Sequence, residues 1–291
     1  MESSTVRTTQ QHDGDWHDRM YNNRALVPDS AAYLARWAND SRAAREDGPC
    51  ELDIAYAEDP GETLDVFPAS GAQAPVLLFI HGGYWRALDK SDHSFIAPAF
   101  TRHGACVVVP NYALCPAVTI PQIVLQMVRA VVWTYRNIDR FGGDPRHITV
   151  VGHSAGGQLA AMMLACQWPL HDPRLPRDTV CNALAISGLH DLDPIMRTPF
   201  LQGDLRLTPE QVAQASPARL PAPRQGHLYT VAGAEESAEY LRQNRLIQER
   251  WGGRRVPVCE EIAGCNHFSV LDSLVDPASR LHQMALDLLR G

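Results

Sequence analysis

An apolar run, Ile148 to Val151, passes through Gly152-His153-Ser154-Ala155-Gly156-Gly157 straight into a helix-like stretch that continues to residue 167. A strand that turns this sharply into a helix needs small residues on either side of the turn, and Gly152, Ala155, Gly156 and Gly157 supply them. Such a unit belongs to a sheet whose strands are joined by helices. The rest of the chain repeats the pattern. Residues 50–57 and 62–67 alternate, with Leu52, Ile54 and Tyr56 set against Glu51, Asp53 and Ala55, as an edge hairpin would. Apolar strands are then expected at 75–80, 106–109, 148–151, 182–187, 227–232 and 257–262, and helices at 156–167, 237–251 and 277–290. A further helix is marked by Ile120, Ile123, Val124, Met127, Val128, Val131, Val132 and Tyr135, which recur at helical spacing after a start near Pro121. Asp29 or Ser30 can cap another that runs to about Glu46, with Tyr33, Leu34 and Trp37 on one face. Apolar strands separated by helices predict an α/β fold, a mostly parallel sheet covered on both faces.

At 291 residues, 45% hydrophobic and 20% charged, the chain can bury a large core. No linker-like stretch divides it, so one domain over 1–291 is expected, with an arm and helix over 1–48. A net charge of −7 and the absence of a basic stripe disfavour nucleic acid and anionic membranes as partners. Seven cysteines form an odd set without Cys-x-x-Cys spacing, as reduced core residues do. Residues 1–20 are polar rather than signal-like, and no stretch is long and apolar enough to span a bilayer, which makes a cytoplasmic location the default expectation.

In open parallel sheets the functional loops lie beyond the carboxyl ends of the strands. Two turns sit there: the one bearing Ser154, and His81-Gly82-Gly83-Tyr84-Trp85 after the strand ending at Ile80. Attack on a carbonyl needs a nucleophile exposed on a tight turn and backbone N–H groups aimed at the oxygen that becomes negative. Gly-x-Ser-x-Gly alone arises by chance in roughly one chain of this length in ten, so an ordinary Gly/Ser turn is the competing reading of Ser154. The second turn and the residues downstream weigh against it.

A serine nucleophile needs a histidine base and a carboxylate to orient it, and on such sheets the chain order is serine, acid, histidine. His267, in Gly264-Cys265-Asn266-His267-Phe268, follows the last strand. His171, His190 and His227 come too early, and His282 falls within the terminal helix. Glu236 and Glu235 follow the strand ending at Gly233, and Asp191 follows the strand before it, so all three are candidates for the acid. Either glutamate can equally be a solvated charge at a helix start, and Asp191 and Asp193 can serve helix capping. The twelve histidines show no His-x-x-x-His or His-x-x-Glu-His spacing, and neither metal nor cofactor is required.

Gly-His-Ser-Ala-Gly-Gly together with His-Gly-Gly-Tyr-Trp resembles the arylformamidase (kynurenine formamidase) branch of the α/β-hydrolases, near the hormone-sensitive-lipase-like esterases, which usually read His-Gly-Gly-Gly. The likeness extends through Tyr21-Asn22-Asn23-Arg24 to Pro28-Asp29, Asn111-Tyr112-x-Leu114-x-Pro116, Ser187-Gly188-Leu189-His190-Asp191-Leu192-Asp193-Pro194, Glu236-Ser237-x-Glu239 and Gly264-x-x-His267-Phe268. It implies the α/β-hydrolase fold and a Ser154, His267, Glu236 triad, Glu236 being favoured because the family's acid precedes a serine. Many members carry aspartate there, so the glutamate is a departure. The resemblance further implies an oxyanion hole from the Gly82, Gly83 and Ala155 N–H groups, a small-molecule substrate and a homodimer.

Tyr84 and Trp85 are candidates for an aromatic pocket wall, with burial of Trp85 beneath the loop as the competing view. Residues 189–219, with Pro194, Pro199, Pro209 and Pro217, are expected to form a small cap. The function implied is hydrolysis of an N-formyl arylamine such as N-formyl-L-kynurenine. The alternatives are a carboxylesterase for small aryl or short-acyl esters or carbamates, and a non-catalytic binding protein on the same scaffold, against which the intact motifs argue.

Overall fold

The computed structural model describes residues 12–291; residues 1–11 of the expected arm and of the polar N-terminal stretch lie outside the described residues. Among these, eight strands form one sheet: β1 (Glu51–Ala55), β2 (Thr63–Phe67), β3 (Ala74–Ile80), β4 (Cys106–Pro110), β5 (Gly143–His153), β6 (Asn182–Ile186), β7 (Leu228–Gly233) and β8 (Val258–Ile262). Their order is β1-β2-β4-β3-β5-β6-β7-β8. The β1/β2 and β2/β4 pairs are antiparallel and the others parallel.

The central strands bury both faces, and their side chains divide by the two-residue period of the pleat. Val76, Leu78 and Ile80 of β3 face one core, while Leu77 and Phe79 face the other. Cys106 and Val108 of β4 join the first and Val107 and Val109 the second. Ile123, Met127 and Val131 of the helix Ile120–Asn137 cover the first face. That helix starts in a capping box in which Thr119 and Gln122 satisfy each other's backbone N–H. Leu281, Met284 and Leu288 of the helix Arg280–Arg290 cover the second face.

Several boundaries differ from expectation. β5 runs from residue 143 rather than 148, because its first part pairs with Ala74 beyond an irregularity in the ladder. The terminal helix begins at Arg280 instead of 277, where the Ser279 hydroxyl accepts the His282 N–H at 3.0 Å. Asp29 occupies the cap position of the helix Ser30–Asp47 without a side-chain bond to it. All seven cysteines are free, but Cys50, Cys166, Cys181 and Cys259 are only partly buried. Among the described residues no helix is long and apolar enough to cross a membrane.

Two features of the sheet position the site. Phe79 pairs with Val151 and Ile80 with Gly152, so β3 and β5 end side by side and deliver residues 81–85 next to Ser154. Between β6 and β7 the chain leaves the sheet in short helices, Asp193–Met196, Pro199–Leu205 and Pro209–Ala215, each with proline in its first turn.

His190, at the start of this excursion, is fully buried and neither ring nitrogen has a hydrogen-bond partner among the described residues. Burial lowers its pKa from 6.5 to about 3. The unfolded chain therefore takes up a proton below the ordinary value that the folded chain refuses, so stability is full above that value and falls as pH drops toward the folded one. Replacing His190 by leucine is expected to remove about 2 kcal/mol of the stability lost between pH 7 and pH 5. Urea unfolding of both proteins at the two pH values measures this, and parallel losses would contradict it.

Candidate active site

β5 ends at His153, and Ser154 adopts φ 57° and ψ −118° before the helix Ala155–Ala165 begins. A non-glycine residue holds this conformation only where its surroundings enforce it. The Ser154 N–H donates to the Ile186 carbonyl at 2.8 Å, tying the turn to the neighbouring strand. At Gly156 an added Cβ would lie 2.0 Å from the Ile80 carbonyl oxygen, so any side chain would push the helix start off the end of β3.

The loop after β8 brings His267 to the same place. The ring N–H of His153 donates to the His267 carbonyl at 2.8 Å, fixing the loop beside the serine turn. Burial first, and then the neighbouring His267 ring, hold the His153 pKa well below the ordinary range, so His153 is a neutral strut. On its other side the His267 ring packs 4.6 Å from the Tyr240 ring.

The three candidate acids separate. Glu236 accepts the His267 Nδ1–H at 2.6 Å through Oε2, and its Oε1 accepts the Ser187 hydroxyl at 2.5 Å and the Gly233 N–H at 2.7 Å. Its side chain is 0% exposed, so the lone pairs of a buried carboxylate are taken up by three donors. Glu235 is exposed. Asp191 pairs with Arg219 at 3.0 Å and accepts the Asp193 N–H at the start of the helix Asp193–Met196, while Asp193 itself pairs with Arg197 at 2.7 Å.

The turn after β3 is held from below. His81 is fully buried; its Nδ1–H donates to the Gly82 carbonyl at 2.8 Å, and its Nε2 lies 3.1 Å from Asn111 Oδ1. The Tyr112 ring stacks on it at 4.2 Å, and the Tyr112 hydroxyl donates to the carbonyls of His81 and Gly82 at 3.0 and 3.2 Å. The stretch Asn111-Tyr112 thus fixes the turn's carbonyls on the side of the core. Gly82 approaches Ser154 so closely that a Cβ would sit 3.1 Å from the serine Cβ. Among the described residues the N–H groups of Gly82, Gly83 and Ala155 have no acceptor. Unfilled backbone donors around a serine are what a developing oxyanion requires.

Comparison with known proteins identifies the family. A family profile described as alpha/beta hydrolase fold matches residues 77–215. A kynurenine formamidase of Danio rerio is 30% identical over 268 residues, covering 89% of this chain and 88% of that protein. The chain belongs to the kynurenine formamidase family of serine hydrolases. The kynurenine formamidase of Drosophila melanogaster is 27% identical over 193 residues, 63% of each chain. A solved Silicibacter structure, provisionally described as a thioesterase, superposes with a TM-score of 0.81 at 30% identity, covering 94% of this chain and 98% of that one. A Pyrobaculum calidifontis esterase shares the fold at a TM-score of 0.68 and 18% identity.

Within this family member the aromatic pair of the turn divides. Tyr84 lines the pocket over Ser154, and its hydroxyl donates to the Tyr21 carbonyl at 2.6 Å and lies 2.6 Å from the Tyr240 hydroxyl. Trp85 does not line it. Tyr84 and Trp85 both have positive φ, and this double left-handed step sends the Trp85 ring into the core, 0% exposed, where its Nε1–H donates to Gln158 Oε1 at 3.1 Å. The expectation that Trp85 forms a pocket wall is corrected accordingly.

The pocket encloses about 470 Å³ and is lined by Gly83, Tyr84, Ser154 and His267 together with residues given no site role from the sequence. Leu34, Trp37, Leu88, Phe200 and Phe268 make it apolar and largely aromatic, while Arg24, Arg86 and Asp204 bring charge. Its roof comes from far away in sequence. Tyr21, Asn22 and Asn23 lie across it, with Asn23 Nδ2 donating to the Tyr240 hydroxyl at 2.8 Å and the Tyr21 hydroxyl to Glu239 at 2.7 Å. The only sequence signal for this roof was the family-like stretch Tyr21 to Arg24. Among the described residues no group of three or more His, Cys, Asp or Glu side chains could hold a metal ion.

Proposed function

We propose that this hydrolase cleaves an N-formyl arylamine, converting N-formyl-L-kynurenine to L-kynurenine and formate through an acyl-enzyme on Ser154. The observation that carries the reading is the 2.6 Å contact between Glu236 and His267 Nδ1, beside a serine surrounded by three unfilled N–H donors. Ser154 Oγ attacks the formyl carbon while its proton passes to His267 Nε2. Glu236 holds the Nδ1–H and stabilises the imidazolium, and the N–H groups of Gly82, Gly83 and Ala155 receive the oxyanion. The C–N bond then breaks, and the arylamine leaves with the proton from His267. Water attacks the formyl-serine with His267 again as base, releasing formate and restoring the hydroxyl.

The aromatic lining favours an aryl leaving group, which gains flat apolar surface to pack against. The kynurenine formamidases among the relatives support the formamide as substrate. The second reading, a carboxylesterase for small aryl or short-acyl esters, draws on the esterases among the relatives, of which LipC of Mycobacterium tuberculosis is 30% identical over 142 residues. Parallel measurement of kcat/KM on N-formyl-L-kynurenine and p-nitrophenyl acetate separates the two. Formamide turnover in excess of ester turnover is expected, and rapid ester cleavage with negligible formamide cleavage would replace the first reading by the second.

A further inference from the structure

The charged residues of the pocket are arranged as an incomplete ion pair. Arg86 follows the oxyanion turn directly and is anchored to it, its N–H donating to the Gly83 carbonyl at 3.1 Å. Its guanidinium lies 5.4 Å from the centre of the Phe200 ring, and Nη1 donates to the Phe200 carbonyl at 3.1 Å and to Asp204 Oδ2 at 2.6 Å. Everything that holds this side chain acts through one nitrogen and one ring face. Among the described residues Nε and Nη2 of Arg86 have no acceptor, and Oδ1 of Asp204 has no donor.

An arginine side chain only 26% exposed, with its guanidinium already oriented, loses little freedom when it binds a second carboxylate, and its two remaining nitrogens match a carboxylate as a planar fork. Beside it, the free oxygen of Asp204 is an acceptor for a cation. An acceptor for ammonium next to a fork for carboxylate is the complement of an α-amino acid. Arg24, which lines the same pocket and has no ion-pair partner among the described residues, leaves the charged lining at two cations to one anion. That balance attracts the carboxylate and disfavours a simple amine.

We propose that Arg86 and Asp204 are the specificity-determining pair of the pocket: Arg86 binds the carboxylate, and Asp204 the ammonium group, of a substrate that carries an α-amino acid on its aryl leaving group. The assignment deepens the formamidase reading and rests on it for the aryl and formyl parts of the substrate. What it adds is the pair of side chains that hold the head group, which explains why a site lined chiefly by aromatic side chains retains a half-satisfied ion pair.

Calorimetric titration of the intact protein tests this without any turnover. L-kynurenine and 2-aminoacetophenone share the aryl ketone and differ in the amino acid head group. The wild type is expected to bind L-kynurenine at least about tenfold more tightly, and Arg86→Gln and Asp204→Asn each to bring the ratio close to one. The neutral ligand reports the integrity of the aromatic pocket, so a purely structural defect weakens both ligands together and leaves the ratio unchanged. Should Arg86→Gln fail to fold, the isosteric Asp204→Asn, at a side chain 43% exposed, carries the test. Equal binding of the two ligands by the wild type, or a preference that survives in both variants, overturns the proposal. A preference for L-kynurenine in an enzyme that leaves N-formyl-L-kynurenine intact would sink the formamidase reading alone. Formamide turnover without the preference would sink the head-group site alone.

Discussion

Replacing Ser154 by alanine is expected to lower kcat on N-formyl-L-kynurenine by about 10⁵–10⁶ while leaving the protein folded. Alanine can occupy the same φ 57° turn, because the strain is imposed by the bond from the residue 154 N–H to Ile186 and by the packing of Gly156 against β3 rather than by the hydroxyl. What disappears is the atom that forms the acyl-enzyme. A fluorophosphonate should add its mass to the wild type and not to the variant. A variant that keeps more than about a hundredth of the activity would remove Ser154 from the mechanism, and failure of the wild type to be labelled would revive a binding role on this scaffold.

The second large effect is expected at Glu236, where glutamine should cost about 10⁴ in kcat at neutral pH. The amide is nearly isosteric but can accept on one side only. The Gly233 N–H is a fixed donor 2.7 Å from Oε1, so the amide oxygen is drawn to that side and the NH₂ group turns toward His267 Nδ1. Facing a donor, His267 adopts the tautomer with its proton on Nε2, which is then a donor toward Ser154 and no longer its base. Steady-state kinetics with circular dichroism as the check on folding measures this. Glu235→Gln, at an exposed side chain, is the control expected to stay within about twofold. A loss below tenfold at Glu236 would send the search for the acid elsewhere.

The sheet was legible because its strands are buried on both faces and its helices are amphipathic, so that Val76 to Ile80 and Ile120 to Tyr135 announce their periods directly. Boundaries shifted where a local bond decided the matter, as at Ser279, or where a ladder continued past an irregularity, as in β5. The glycine turns around Ser154 and Gly82 were legible because close backbone approach tolerates few residue types. The burial of Trp85 was not, since it depends on two successive positive φ values that nothing in Tyr-Trp announces. Among Glu235, Glu236 and Asp191 only the family resemblance favoured Glu236, because nothing in the local sequence signals that the Ser187 and Gly233 donors converge on its carboxylate. The pocket's charge was hidden for a different reason. Arg86 and Asp204 are 118 positions apart, and neither belongs to a motif.

The roof of the pocket bears on how the enzyme is made. Tyr21 meets Glu239, and Asn23 meets Tyr240, across separations of 218 and 217 residues. A ribosome therefore makes residues 13–26 more than two hundred residues before Glu239 and Tyr240. Until then the segment can meet Tyr84 of the turn after β3 but not the helix Ala238–Trp251, and closing so long a loop is slow compared with forming local contacts. The nascent chain consequently carries its serine turn before its substrate chamber is finished, and the chamber closes only once Glu239 and Tyr240 have been added.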